Sequence, residues 1–144
     1  MGETVVSDRV REVCETCFEA HKSDCSGFAR AVADELGVTL QGLADQIVET
    51  LRNGAGWTPL KDGVAAAQSA KAGKLVIAGL KGSEQAHPDA HGHVVVVVDG
   101  PLNRNAYPSA YWGRLGAVGE KNKTINWAWT AEDRDHVSYA EHDL

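Results

Sequence analysis

Apolar residues in the first half of the chain recur at helical spacing. The first stripe consists of Val6, Val10, Val13, Cys14, Cys17 and Phe18. It predicts an amphipathic helix that ends before residue 24. Ser23 or Asp24 can then cap a second helix, because a short oxygen-bearing side chain accepts from the free N–H groups of a first turn. This second helix continues to Leu36, and Gly37 is its predicted stop.

Two more helices are predicted before the pattern changes. The segment 40–51 places Leu43, Ile47, Val48 and Leu51 on one face, and residues 53–56 end it. The alanine-rich segment 62–71 predicts a short fourth helix.

The second half of the chain is rich in β-branched residues and predicts strands. Segment 74–80 is a strand, residues 81–92 form a loop, and residues 93–99 form a strand that contains five consecutive valines. A continuous apolar run is typical of a strand buried on both faces. Further strands are expected around residues 110–115, 124–129 and 136–141. Helices followed by strands predict an α+β fold, with a helical layer on an antiparallel sheet in one domain that spans residues 1–144.

The composition of the chain argues against several classes of function. The formal net charge is -6 and the sequence pI is about 5.4, which argues against binding to nucleic acid or to anionic lipid. No apolar run approaches the ~20 residues that span a bilayer. Residues 1–13 lack the apolar core of a signal peptide, so we expect synthesis in the cytoplasm without a leader. We expect a monomer without cofactor or metal.

The segment Ser23 to Phe28 places Cys25 in the first turn of the second helix. The partial positive charge of a helix N-terminus favours thiolate over thiol, and its free N–H groups can bind a developing oxyanion. We expect Ser26 and Gly27 to contact substrate, since Gly27 leaves room for it. Taken alone, a buried and inert Cys25 is an equally good interpretation.

His93 begins the valine-rich strand directly after Gly92. A strand holds an imidazole rigidly, and its pKa suits proton transfer near neutral pH. A lone histidine is more often structural, but Cys25 on a helix followed by His93 on a sheet is the papain-like arrangement. Gly92 and Trp112 are the other residues that we expect to contact substrate.

Longer stretches resemble one family, the NlpC-type papain-like peptidoglycan hydrolases, and within it the first family of type VI secretion amidase effectors. Residues 25–28, 35–38, 75–82, 92–94, 100–102, 107–108, 116–119 and 133–135 are similar to that family in order and spacing. The resemblance implies a nucleophilic Cys25 and a general base His93 that cleave the bond between D-glutamate and meso-diaminopimelate in peptidoglycan stem peptides. It also implies delivery into the periplasm of another bacterium by the type VI apparatus, and a cognate periplasmic immunity protein.

The residue that orients His93 is left open by the sequence. Ser109, Tyr111, Asp99 or a backbone carbonyl can serve. Cys14 and Cys17 share the apolar stripe of the first helix, which favours core packing over a metal or redox role. A zinc site at His87, His91 and His93 is the weaker alternative to the cysteine chemistry.

Other functions also remain open. The chain could be a housekeeping or phage-type cell-wall hydrolase, or an inactive papain-like binding module. Intact Cys25 and His93 count against the binding module.

Overall fold

The computed structural model describes the backbone of residues 6–144 and the side chains from Asp8 onward. The Val6 side chain of the predicted stripe lies outside what it describes, as do residues 1–5 of the segment 1–13 for which no leader was expected. The helices are α1 (Val6–His21), α2 (Cys25–Glu35), α3 (Ala44–Asn53) and α4 (Gly63–Lys71). The strands are β1 (Trp57–Leu60), β2 (Leu75–Leu80), β3 (His93–Val97), β4 (Ser109–Trp112), β5 (Glu120–Thr124) and β6 (Ser138–His142). Short 3₁₀ turns cover Gly82–Glu84 and Ile125–Trp127.

The strands form one antiparallel sheet in the order β1-β6-β2-β3-β4-β5. The valine run occupies β3, next to β2 in the middle of this order, and His93 pairs with Leu80 at its first position. The predicted α+β fold class is confirmed.

Both faces of the sheet are covered, as the valine run predicted. Val94, Val96 and Val98 face the core beneath α1, α2 and α3. Val95 and Val97 face a second core beneath α4 and the turn Ile125–Trp127. Because side chains alternate along a strand, only an uninterrupted apolar run satisfies two such layers.

The structure corrects the start of α3. The helix begins at Ala44 rather than at residue 40, and Leu43 is its N-cap residue. The Leu43 side chain is therefore 61% exposed instead of lying on the buried face. Ile47, Val48 and Leu51 are buried, as predicted.

Both edge strands differ from the prediction, because their sequences lack a clear alternation. β1 was not predicted; it contains Pro59, which a sheet accommodates at an edge. β5 is polar, a composition that discourages edge-to-edge aggregation. The strand predicted at 124–129 is wrong, since β5 ends at Thr124 and a 3₁₀ turn follows. Ile125, Ala128 and Trp129 are buried after this point, whereas Trp127 is exposed. β4 ends at Trp112, earlier than predicted.

Across residues 6–144, no helix combines the length and apolar character needed to cross a membrane.

Candidate active site

Cys25 is the first residue of α2, and Asp24 is the N-cap. Ser26 Oγ donates to Asp24 Oδ1 at 3.1 Å, and the Phe28 N–H donates to the Asp24 carbonyl at 2.9 Å. Gly27 lies so close to the cap that a Cβ there would be 2.4 Å from Asp24 Oδ2. Gly27 therefore makes room for the Asp24 side chain.

The end of β4 fixes the position of this helix start. A Cβ on Gly113 would lie 2.3 Å from the His21 carbonyl oxygen and 2.5 Å from that of Asp24. The N–H of Arg114 donates to the Lys22 carbonyl at 3.0 Å. The loop between α1 and α2 is thus packed backbone to backbone against the sheet, and Arg114 is brought beside Cys25.

The Cys25 side chain is 7% exposed. Burial raises the pKa of its thiol, and the Asp24 carboxylate adds to this effect. The backbone N–H groups of Val94, Ser26 and Cys25 itself lower that pKa, but burial prevails. The resting thiolate expected from the helix terminus is therefore not favoured. The same N–H groups form a cluster of donors around the sulfur.

His93 packs edge-on against two tryptophans. Its ring centroid lies 6.3 Å from that of Trp112 and 5.2 Å from that of Trp129. Burial, followed by the charge of Arg114, lowers the pKa of His93 to about 3. A neutral imidazole beside a neutral thiol is consequently the resting state near pH 7.

Two cavities meet at Cys25. The first, of about 440 Å³, is flanked by the exposed side chains of Leu43 and Leu115 and by Ala44. The second, of about 290 Å³, contains His93 and Arg114. Cys25 belongs to both, so a substrate that reaches the sulfur can extend in two directions.

Two of the four residues that were expected to contact substrate line these cavities, and two do not. Ser26 lines the first cavity, and Gly92 lines both. Gly27 lines neither, because it faces the Asp24 cap. Trp112 is fully buried and supports His93 from behind, so the structure corrects its expected place in the cleft.

None of the side chains proposed from the sequence orients His93. Ser109 Oγ donates to the Pro101 carbonyl at 2.8 Å, and Tyr111 Oη donates to Glu15 Oε2 at 2.6 Å. Asp99 follows the other end of β3, about 20 Å along an extended chain. Nε2 of His93 is buried and has no hydrogen-bond partner among residues 6–144. Aromatic packing holds the ring instead.

Sequence patterns missed three residues of this site. Trp129 contacts His93, Arg114 lines the second cavity, and Asp133 accepts from the Ala86 N–H at 2.8 Å. Residues 133–135 are one of the family-like segments, which is the one available sequence signal for Asp133. Nothing in the spacing along the chain marked Arg114 or Trp129.

His87, Cys14 and Cys17 line neither cavity. His87 is 89% exposed at its side chain and lies 3.8 Å from Glu132, whereas His91 lines the cleft. In the part of the chain that the structure describes, no group of three His, Cys, Asp or Glu side chains is arranged around a common metal position. Cys14 and Cys17 are buried in the hydrophobic core between α1 and the rest of the domain, as predicted.

The chain is 43% identical over 128 residues to the peptidoglycan amidase Tse1 of Pseudomonas aeruginosa, and the match covers 86% of this chain and 78% of that protein. No protein-family model matches the chain.

Proposed function

The chain belongs to the Tse1 family of peptidoglycan amidases, and on that premise we propose that it hydrolyses an amide bond of peptidoglycan stem peptides with Cys25 as nucleophile and His93 as general base. The observation that carries this proposal is the single cavity in which both side chains lie. Cys25 begins a helix and His93 begins a central strand, so each is held by a rigid element.

The first step starts from a neutral Cys25 thiol and a neutral His93 imidazole. Substrate binding brings a carbonyl carbon to the Cys25 sulfur, and His93 removes the thiol proton as the C–S bond forms. Attack and proton transfer are coupled, because burial disfavours either charge at rest. The tetrahedral oxyanion is bound by backbone N–H groups at the start of α2, at Cys25 and Ser26.

The second step releases the amine. Protonated His93 donates its proton to the departing nitrogen as the C–N bond breaks, and a thioester remains on Cys25. Water then attacks the thioester with His93 again acting as base, which frees the acid product and restores the thiol.

The bond proposed is that between the γ-carboxyl of D-glutamate and meso-diaminopimelate. The resemblance of residues 75–82 and 92–94 to the amidase effectors supports this bond, and the second of these segments contains His93. The proposal includes delivery by the type VI secretion apparatus into the periplasm of a recipient cell, where the peptidoglycan lies. It also includes a periplasmic immunity protein that covers this cleft in the producing cell.

Digestion of purified stem peptides tests the activity. Wild type is compared with Cys25→Ala and with Cys17→Ala, which makes the same change at a buried position of α1 outside both cavities. Mass spectrometry should find fragments that end at D-glutamate with wild type and Cys17→Ala, and none with Cys25→Ala. A Cys25→Ala variant that still cleaves would refute the nucleophile, and a wild type that cleaves no stem peptide would refute the function.

A further inference from the structure

The second cavity contains a cation, Arg114, that forms no ion pair in the described part of the chain. Arg114 is exposed and lines the cavity with Cys25 and His93. Its charge is close enough to lower the pKa of His93. An arginine fork directed at a cleft is well suited to bind a carboxylate in a bidentate manner.

The opposite charge lies in the same cavity. Asp89 and Asp133 line it together with Gln85 and Thr130. One oxygen of Asp89 accepts from the His91 N–H at 3.2 Å, and one oxygen of Asp133 accepts from the Ala86 N–H at 2.8 Å. Each carboxylate keeps a second oxygen, so the cavity presents one cation and two anions to a ligand.

The catalytic pair decides which half of the substrate enters this cavity. Cys25 lines both cavities, but His93 lines only the second. Because the imidazole must give its proton to the departing nitrogen, the leaving amine lies on the His93 side. The acyl half then occupies the first cavity, beside Leu43 and Leu115.

We propose that Arg114 is a specificity-determining residue that binds the side-chain carboxylate of the leaving diamino acid, while Asp89 and Asp133 bind its side-chain ammonium. This inference rests on the proposed function, since it identifies the leaving group as diaminopimelate. A diaminopimelate side chain ends in a carboxylate and an ammonium on one carbon, which matches the charges of the cavity. Lysine at the same position keeps the ammonium and lacks only the carboxylate.

Three synthetic stem tetrapeptides test the assignment. One carries meso-diaminopimelate, one carries lysine in its place, and one carries meso-diaminopimelate after D-isoglutamine, which removes the D-glutamate carboxylate. Wild type should cleave both diaminopimelate peptides with a kcat/KM roughly 10- to 100-fold above that for the lysine peptide, as for one charged hydrogen-bonded contact. Arg114→Gln should lower kcat/KM for both diaminopimelate peptides far more than for the lysine peptide, so that the ratio between the diaminopimelate and lysine peptides approaches one. Arg114→Lys should retain part of the preference.

The control variant is Lys71→Gln, which removes an exposed cation on α4 outside both cavities; it should keep the full wild-type preference. An equal loss on all three peptides in Arg114→Gln would mean that Arg114 acts through His93 or the fold, and would overturn the assignment. If Arg114→Gln lowers kcat/KM for the two peptides that contain D-glutamate but not for the D-isoglutamine peptide, Arg114 contacts the acyl half, which would refute the assignment. A wild type that does not prefer diaminopimelate over lysine would also refute the inference. These outcomes differ from failure of the proposed function, in which wild type cleaves none of the peptides.

Discussion

Acid should destabilise the protein through His93 in a way that can be measured. Burial lowers the pKa of this imidazole to about 3 in the folded chain, while the unfolded chain has an ordinary value of about 6.5. Between these two values the unfolded state binds the proton and the folded state does not. Stability contributed by His93 is therefore present above about pH 6.5 and is lost as the pH falls toward 3.

The magnitude follows from the two pKa values. Each pH unit within the window changes the free energy of unfolding by about 1.4 kcal/mol. Lowering the pH from 7 to 4 should therefore cost the wild type about 3 kcal/mol from His93 alone. This is a large part of the ~5–15 kcal/mol that stabilises a typical domain.

Urea unfolding at pH 7 and at pH 4 measures the effect. The loss of stability between the two pH values should be about 3 kcal/mol smaller in His93→Gln than in wild type. Other titrating groups are common to both proteins and cancel in this comparison. An NMR titration of the His93 ring supplies a direct check that does not depend on the variant. Equal losses in the two proteins, or a His93 midpoint near 6.5, would refute the reasoning.

Three further substitutions have expected outcomes. Gly113→Ala puts a Cβ 2.3 Å from the His21 carbonyl oxygen; it should cost about 1–3 kcal/mol in thermal unfolding and also slow peptide cleavage, and unchanged values would contradict the close approach. Cys14→Ala leaves a small cavity in a fully buried site; it should cost about 1–2 kcal/mol with normal cleavage at 25 °C, whereas a folded but inactive variant would contradict its core role. Asp133→Ala frees the Ala86 N–H and removes a carboxylate from the second cavity; it should lower kcat/KM on the order of tenfold through the loosened loop and the lost contact with the substrate ammonium, and hydrogen exchange at that amide should rise.

The proposed reaction starts from a neutral Cys25 thiol and a neutral His93 imidazole. A pre-formed ion pair would keep a reactive thiolate at rest, but burial of Cys25 and His93 opposes both charges. In the proposed mechanism, His93 takes the thiol proton as the sulfur attacks the substrate carbonyl. The aromatic rings of Trp112 and Trp129 hold His93 where a polar side chain orients the base in many other enzymes.

The sequence determined the parts of this protein that depend on local chemistry. The apolar stripe around Cys14 predicted α1, Asp24 and Gly37 marked the ends of α2, and the valine run predicted a strand covered on both faces. These signals are local, because helix periodicity, capping and strand burial act within a few neighbouring residues. The positions of Cys25 at the start of a helix and His93 at the start of a strand were predictable for the same reason.

Only the tertiary structure decided what surrounds that pair. Gly113 packs on the loop before α2 and thereby places Arg114 beside Cys25, and the inward turn after β5 places Trp129 against His93. It also showed that Trp112 supports the imidazole from the core rather than lining the cleft. Contacts between residues far apart in the chain depend on how layers pack, and no local period or spacing records them. The balance that leaves Cys25 and His93 neutral has the same origin, because burial is a property of the assembled fold.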